Sequence, residues 1–272
     1  MTANSYAEVI GDPIDHSLSP TIHSFWLEVL GIDARYDRHR IGRADLPAYI
    51  AEKRGDPAWL GSNVTMPLKL DAVALADEAT DRAVAAGAAN VLMIREGRMV
   101  AANTDVGAIA ILLGRLHEAK ARMGSVTLLG NGGAARAALV ALKLVGISAV
   151  RIQARDLAAA TRLAVEFGLD VGPEAFTAPI ESDGLINATP LGMPGRECLN
   201  CDLHLMPAGG WVFDMVTEPA RTPLLKAADE RGLATADGIA MLVEQAASSF
   251  KLFFGKDAPR DRDAELWQKL PQ

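Results

Sequence analysis

The sequence predicts an α/β protein built in two parts, on three observations. Short β-branched or aliphatic runs alternate with longer Ala/Leu-rich helical stretches, the pattern of βαβ units around parallel sheets. Half of the 272 residues are hydrophobic, enough for one large domain or two ordinary ones, each with its own core. The chain changes character after Asn103-Thr104-Asp105, and a strand, a glycine-rich turn and a helix then follow in direct succession.

Taken in order, residues 7–11 make a first strand ending in Gly-Asp-Pro. Ser19-Pro20 open a helix that runs to Leu30 and stops at Gly31, with an N-cap one of the roles open to Ser19. A second unit runs from the strand 59–65 into a helix beginning near Pro67, with further helix through Ala86 before the loop at Gly87. Residues 90–94 are another strand. A helix over 106–116 leads, past Gly124, to the apolar strand 125–129.

That strand enters Gly130-Asn131-Gly132-Gly133-Ala134-Ala135-Arg136-Ala137, and an amphipathic helix continues to Val145 before Gly146. Here is a Rossmann-type phosphate turn between its proper neighbours. The glycines permit the tight turn and let a pyrophosphate approach the backbone, and the helix N-terminus receives its charge. A second strand, 149–153, ends at Gln153-Ala154-Arg155-Asp156, where the adenosine ribose of a dinucleotide would lie. Arg155 suits a 2′-phosphate; Asp156 suits a free 2′-hydroxyl, or caps the helix 157–167. The reading leans to NADP, with NAD the alternative. Two further strands, ending in Asn187-Ala188-Thr189-Pro190 and Val212-Phe213-Asp214-Met215-Val216, bring Thr189 and Met215 to the nicotinamide end, and both segments also read as structural turns.

Composition excludes several classes. A formal net charge of −7, with no basic stripe or tail, argues against nucleic acid as a partner. The opening residues carry neither a positive leader nor an apolar run, and no later stretch is apolar enough to span a bilayer, so a cytoplasmic enzyme is expected. Cys198 and Cys201 have the spacing of a redox pair or half a zinc site, but with no second pair, and only His204 nearby, they read as two reduced loop thiols, and no metal is expected.

Several separate motifs fall together in one order: His16-Ser17-Leu18-Ser19-Pro20, Asn63-Val64-Thr65-Met66-Pro67-Leu68-Lys69, Gly87-Ala88-Ala89-Asn90, Asn103-Thr104-Asp105, the glycine turn, Asn187-Ala188-Thr189, and Gly238-Ile239-Ala240-Met241-Leu242-Val243-Glu244-Gln245. Through them the chain resembles the shikimate dehydrogenase family over nearly its whole length. The resemblance implies a reversible NADPH-dependent reduction of 3-dehydroshikimate to shikimate, within aromatic amino-acid biosynthesis, by a monomer or homodimer. It implies Lys69 and Asp105 as the catalytic pair, with Ser17 and Ser19 on the substrate carboxylate and Asn63, Thr65, Asn90 and Gln245 on its hydroxyls. Gly130, Asn131, Gly132, Gly133, Ala134, Ala154, Arg155, Asp156, Thr189, Met215 and Gly238 are then the expected cofactor contacts.

These residue types suit the chemistry. A ketone receiving hydride needs a poised acid at its oxygen, and a lysine held by a carboxylate provides one. Lysine in a first helical turn is otherwise unfavourable. Asp105 also reads as a cap for the helix that follows it. For Gln245 to line the same pocket the chain must return to its first part. The expected organisation is therefore a discontinuous α/β substrate domain (1–103 and 238–272), a Rossmann-type NADP-binding domain (104–237) and a cleft between them whose closure excludes water.

Three departures from the family pattern matter. Thr217 stands where a tyrosine is common, which leaves an NAD-dependent quinate/shikimate enzyme as an alternative, and Ala154 and Asp156 replace the commoner Asn and Thr around Arg155. A catalytically idle dinucleotide sensor and a folate-type dehydrogenase are further alternatives. The sensor would be marked by loss of the lysine-aspartate pair, which is present.

Overall fold

In the computed structural model, residues 4–199 and 201–271 are described. The chain divides into two compact units, one running to Asp105 and resuming over Val243–Leu270, the other taking Val106–Leu242.

The first unit starts with β1 (Tyr6–Gly11), α1 (Ser19–Leu30), β2 (Arg35–Arg40), α2 (Leu46–Lys53) and β3 (Trp59–Val64), then α3 (Lys69–Leu75), β4 (Glu78–Ala79), α4 (Asp81–Ala86), β5 (Val91–Arg95) and β6 (Arg98–Ala102). Its sheet has the order β2-β1-β3-β5-β6-β4. β1 pairs in parallel with β2 and β3, but β5 is antiparallel to β3 and to β6. The sheet is therefore mixed, where the alternation of elements predicts parallel pairing throughout. Glu96 (φ 51°) and Gly97 (φ 77°) supply the reason for the β5–β6 pairing: two successive residues in the left-handed region close the tight hairpin that reverses the chain there.

The helical stretch expected from Pro67 to Ala86 is also interrupted. Asp77 accepts from the Met99 amide at 2.8 Å, and β4 pairs with β6, so the middle of the segment is spent on the sheet. Beneath the sheet, Ile10, Leu46, Leu68, Leu92 and Met99 form a fully buried core. Glu8 is buried with them, its charge met by the Tyr49 hydroxyl at 2.8 Å and by Lys53 and His39 at 3.5 Å, the pairing that a buried carboxylate requires.

α5 (Asp105–Glu118) leads into the second unit, followed by β7 (Ser125–Leu129), α6 (Gly133–Leu144), β8 (Ala149–Ala154), α7 (Leu157–Phe167), β9 (Glu174–Ala175), β10 (Gly184–Asn187), β11 (Trp211–Asp214), α8 (Pro223–Glu230) and β12 (Ala234–Asp237). All pairings here are parallel, in the order β12-β11-β10-β7-β8-β9. This is the doubly wound dinucleotide-binding arrangement, with its reversal of strand order between β7 and β10, the place where ligands collect. α9 (Gly238–Phe254) runs from the second unit back into the first, and α10 (Asp263–Trp267) closes the first. Among the described residues no helix is long and apolar enough to cross a membrane.

Candidate active site

In the first unit the sheet brings together residues far apart in sequence. Lys69 is the first residue of α3, and its Nζ donates to Asp105 Oδ2 at 2.5 Å. Asp105, the first residue of α5, is 4% exposed in its side chain and Lys69 17%, so the pair is largely desolvated while the amine keeps an opening to water. Asn90 Nδ2 donates to the other oxygen of Asp105 at 2.8 Å. Its Oδ1 accepts from the Thr104 amide at 2.7 Å, which fixes the orientation of that side-chain amide.

Gln245, on α9, accepts on Oε1 from Asn90 at 3.2 Å and, at 3.5 Å, from Asn63 and Thr104. Asn63 also donates to the Asn90 carbonyl at 3.3 Å. Thus Lys69, Asp105, Asn90, Asn63 and Gln245, all expected at the site, lie in one connected hydrogen-bonded cluster. Thr65 is half-buried beside it, its methyl occupying the space where a side chain on Gly11 would lie.

At α1 the alternative reading of Ser19 as N-cap falls away, because Leu18 holds that position. Ser17 Oγ accepts from the Ser19 amide at 3.3 Å, so Ser17 gives the local support, and the buried Ser19 hydroxyl is hydrogen-bonded to Tyr36. The carboxylate of Asp105, at the start of α5, has one oxygen engaged by Lys69 and the other by Asn90.

Sequence reasoning missed Tyr36, Thr104 and Ser249 as members of this network. Ser249 had a findable signal, one turn beyond Gln245 on the same helix face. Tyr36 had none, because it lies in the charged run Arg35-Tyr36-Asp37-Arg38-His39-Arg40.

In the second unit the glycine turn lies at the end of β7. Gly130 has φ +103°, and a Cβ there would come within 3.0 Å of Thr189 Cγ2 and 3.2 Å of the Ala188 carbonyl, so the loops after β7 and β10 meet where the strand order reverses. Among the described residues, a Cβ on Gly132 would find no atom within 4 Å, and no side chain caps α6. An open, uncapped helix start beside glycines, with Asn131 and Ala134 half-buried at its mouth, fits a pyrophosphate. Thr189 is held by its amide and hydroxyl, both donating to Asn187 Oδ1 at 3.0 and 2.7 Å. Met215 donates its amide to the Asn187 carbonyl at 3.1 Å, and Gly238 packs so tightly that a Cβ would lie 2.4 Å from the Val216 carbonyl.

Ala154 is buried at the end of β8, and Arg155 and Asp156 are exposed. Asp156 Oδ1 accepts from the Ala159 amide at 2.9 Å as the N-cap of α7. Thr217 is half-buried beyond β11. Cys198 and Cys201 are free thiols in loop, and burial together with the charge of Asp214 pushes Cys201 up to about 11, away from nucleophile or metal-ligand chemistry. Among the described residues no group of three or more His, Cys, Asp or Glu could hold a metal ion.

Comparison with known proteins agrees with this geometry. Residues 9–92 match the family described as Shikimate dehydrogenase substrate binding domain, and residues 238–265 match Shikimate 5′-dehydrogenase C-terminal domain. A shikimate dehydrogenase (NADP(+)) of Sphingopyxis alaskensis is 43% identical over 268 residues, covering 97% of this chain and 96% of its own. The crystal structure of shikimate 5-dehydrogenase from Thermus thermophilus in complex with NADP(H) and shikimate superposes with a TM-score of 0.84 at 32% identity, covering 97% of this chain and 99% of its own. Quinate dehydrogenase from Corynebacterium glutamicum in complex with NAD gives a TM-score of 0.86 at 30% identity, covering 98% and 99%. With a relative this similar along almost its full length, and the motifs of both parts in place, the chain belongs to the shikimate dehydrogenase family.

Proposed function

We propose that this chain is an NADP-dependent shikimate dehydrogenase, reversibly reducing 3-dehydroshikimate to shikimate for aromatic amino-acid biosynthesis, and that Lys69 and Asp105 carry its proton chemistry. The observation that carries the assignment of roles is the 2.5 Å Lys69–Asp105 pair, locked from its far side by Asn90.

The bound dinucleotide supplies a hydride to the ketone carbon, or accepts it in reverse. As negative charge develops on the carbonyl oxygen, the Lys69 ammonium stabilises it and delivers a proton to that oxygen. Asp105 is the positioning partner: it accepts from Lys69 on one oxygen and from Asn90 on the other, and so holds the amine in place. In the reverse direction neutral Lys69 takes the proton from the hydroxyl oxygen. The partial exposure of Lys69 supports exchange of that proton with water.

We assign Ser17 and Ser19 to the substrate carboxylate, and Asn63, Thr65, Asn90 and Gln245 to the ring hydroxyls, with Thr217 at the edge of the substrate. These uncharged groups can both donate and accept, which suits a polyol. Gly130, Asn131, Gly132, Gly133 and Ala134 would hold the pyrophosphate, Thr189, Met215 and Gly238 the nicotinamide end, and Ala154, Arg155 and Asp156 the adenosine end. With Asp156 engaged as a cap, Arg155 is the group assigned to the 2′-phosphate. The segments around Lys69 and Gln245 form the substrate domain of this reading, and the β7–β12 sheet its cofactor domain. We place the reaction in the cytoplasm, where a reduced nicotinamide pool is maintained. Thr217, shorter than the usual tyrosine, favours some turnover of quinate as a second activity.

Replacing Lys69 by alanine tests the assignment. The rate should fall about 10²- to 10⁴-fold, while NADP binding, followed by quenching of protein fluorescence, stays within about twofold. Near-normal turnover in Lys69→Ala would remove Lys69 from the mechanism.

A further inference from the structure

Tyr36 is the one buried residue of β2, a strand whose neighbouring residues Arg35, Arg38, His39 and Arg40 face water. A phenol is buried without penalty only where its hydroxyl finds partners, and here it has two. It donates to Asn63 Oδ1 at 2.6 Å and is hydrogen-bonded to the Ser19 hydroxyl.

The ring is held as firmly as the hydroxyl. It stacks on His23 with centroids 4.0 Å apart and planes 6° from parallel. His23 is fully buried, neither ring nitrogen has a hydrogen-bond partner among the described residues, and it is flanked by Trp26 and Phe250. Burial lowers its pKa to about 3, so it is a neutral aromatic wall and not a charged group. Tyr36, with its pKa raised well above the ordinary phenol value by burial, stays protonated and a donor over any working pH.

The consequence falls on Asn63. Its Oδ1 accepts from Tyr36 at 2.6 Å, and Ser249 Oγ, which shares its one proton with the Ala246 carbonyl, lies 3.2 Å from the same oxygen. A flipped amide would turn its N–H groups toward the phenol and leave the phenol proton without its acceptor. Nδ2 is thereby turned toward the Asn90 carbonyl and Gln245. One phenol thus sets the attitude of two side chains from different elements, Ser19 of α1 and Asn63 of β3.

We propose that Tyr36 is a positioning residue for substrate, holding the Asn63 amide in the one orientation that fits a hydroxyl of a cyclohexene carboxylate. This rests on the reading that Asn63 contacts the substrate. Tyr36 itself lies behind Asn63 and works through it. Lys69 and Asp105 are not among its partners, so its loss affects substrate binding and leaves the chemical step intact.

Tyr36→Phe keeps the ring on His23 and deletes only the hydroxyl. It should raise the KM for shikimate about tenfold, the scale of one hydrogen bond lost with its partner left buried, while kcat and the KM for NADP stay within about twofold. Placed on an Asn63→Ala background, the same substitution should raise the shikimate KM by less than about twofold more, because its effect passes largely through Asn63. Ser249→Ala, which removes the second donor to Asn63 Oδ1, should act in the same direction and more weakly, since that hydroxyl is also 3.1 Å from the Ala246 carbonyl. It gives a second reading should Tyr36→Phe fold poorly. An unchanged shikimate KM in Tyr36→Phe, or a full tenfold effect retained in Asn63→Ala, would overturn the positioning role. If instead Asn63→Ala alone leaves that KM unchanged, the assignment of Asn63 to the substrate fails, and the role of Tyr36 with it.

Discussion

A carboxylate that accepts from a lysine on one oxygen and an asparagine on the other is well placed to orient a proton donor, and this is the division of roles proposed for Lys69 and Asp105. The same accounting of hydrogen-bonding capacity separates the two residues after β8. Asp156 has committed an oxygen to the Ala159 amide, whereas the guanidinium of Arg155 is exposed at the end of the strand. Charge-assisted hydrogen bonds to a phosphate contribute about 1.5–3 kcal/mol, roughly 10- to 100-fold in binding. Arg155→Ala is therefore expected to raise the KM for NADP by about that factor while leaving the KM for NAD within twofold. Parallel titration of both cofactors checks this, and equal changes would show that Arg155 does not read the 2′-phosphate.

At the scale of elements, four groups of the candidate site stand at helix starts. Lys69 opens α3, Asp105 opens α5, the glycine turn opens α6, and Asp156 caps α7. Helix starts collect unpaired backbone N–H groups, which is why acids and anion sites gather there and why Lys69 is the exception that needs its own partner. If Asp156 serves α7 alone, Asp156→Ala should cost about 0.5–2 kcal/mol in urea unfolding, the usual loss for an N-cap, without weakening NADP. A change in cofactor affinity with no loss of stability would give Asp156 a ribose role instead.

Much at this scale was legible in the sequence. β1, α1 with its Gly31 stop, the β7-turn-α6 unit and α7 with its aspartate cap all follow from apolar runs bounded by caps and glycines. What stayed hidden has physical reasons. β2 is an edge strand, so five charged or titratable side chains surround its single buried tyrosine and no alternation shows. The β5–β6 hairpin turns on Glu96-Gly97, which lacks the Asn-Gly or Asp-Gly signature that marks most two-residue turns of this kind.

On the scale of the whole chain, Lys69, Asn90, Asp105 and Gln245 were legible as candidate site residues because each stands in a motif. Their interlocking was not legible. Nothing in the spacing says that Asn90 touches Asp105, Thr104 and Gln245 at once, or that Ser249 and Tyr36 converge on one amide oxygen; these contacts arise when the mixed sheet and the returning α9 bring remote segments together. The cofactor half was more readable, because strand, glycine turn and helix are contiguous, and the reversal of strand order between β7 and β10 belongs to the doubly wound arrangement.

Nicotinamide absorbance, followed with shikimate and with quinate and each offered with NADP and with NAD, decides whether this chain does what its site is proposed to do. The highest kcat/KM is expected for shikimate with NADP, with a lesser rate for quinate permitted by Thr217, and all four activities should be lost in Lys69→Ala. A highest kcat/KM for quinate with NAD, or turnover in none of the four pairs, would contradict the proposed function.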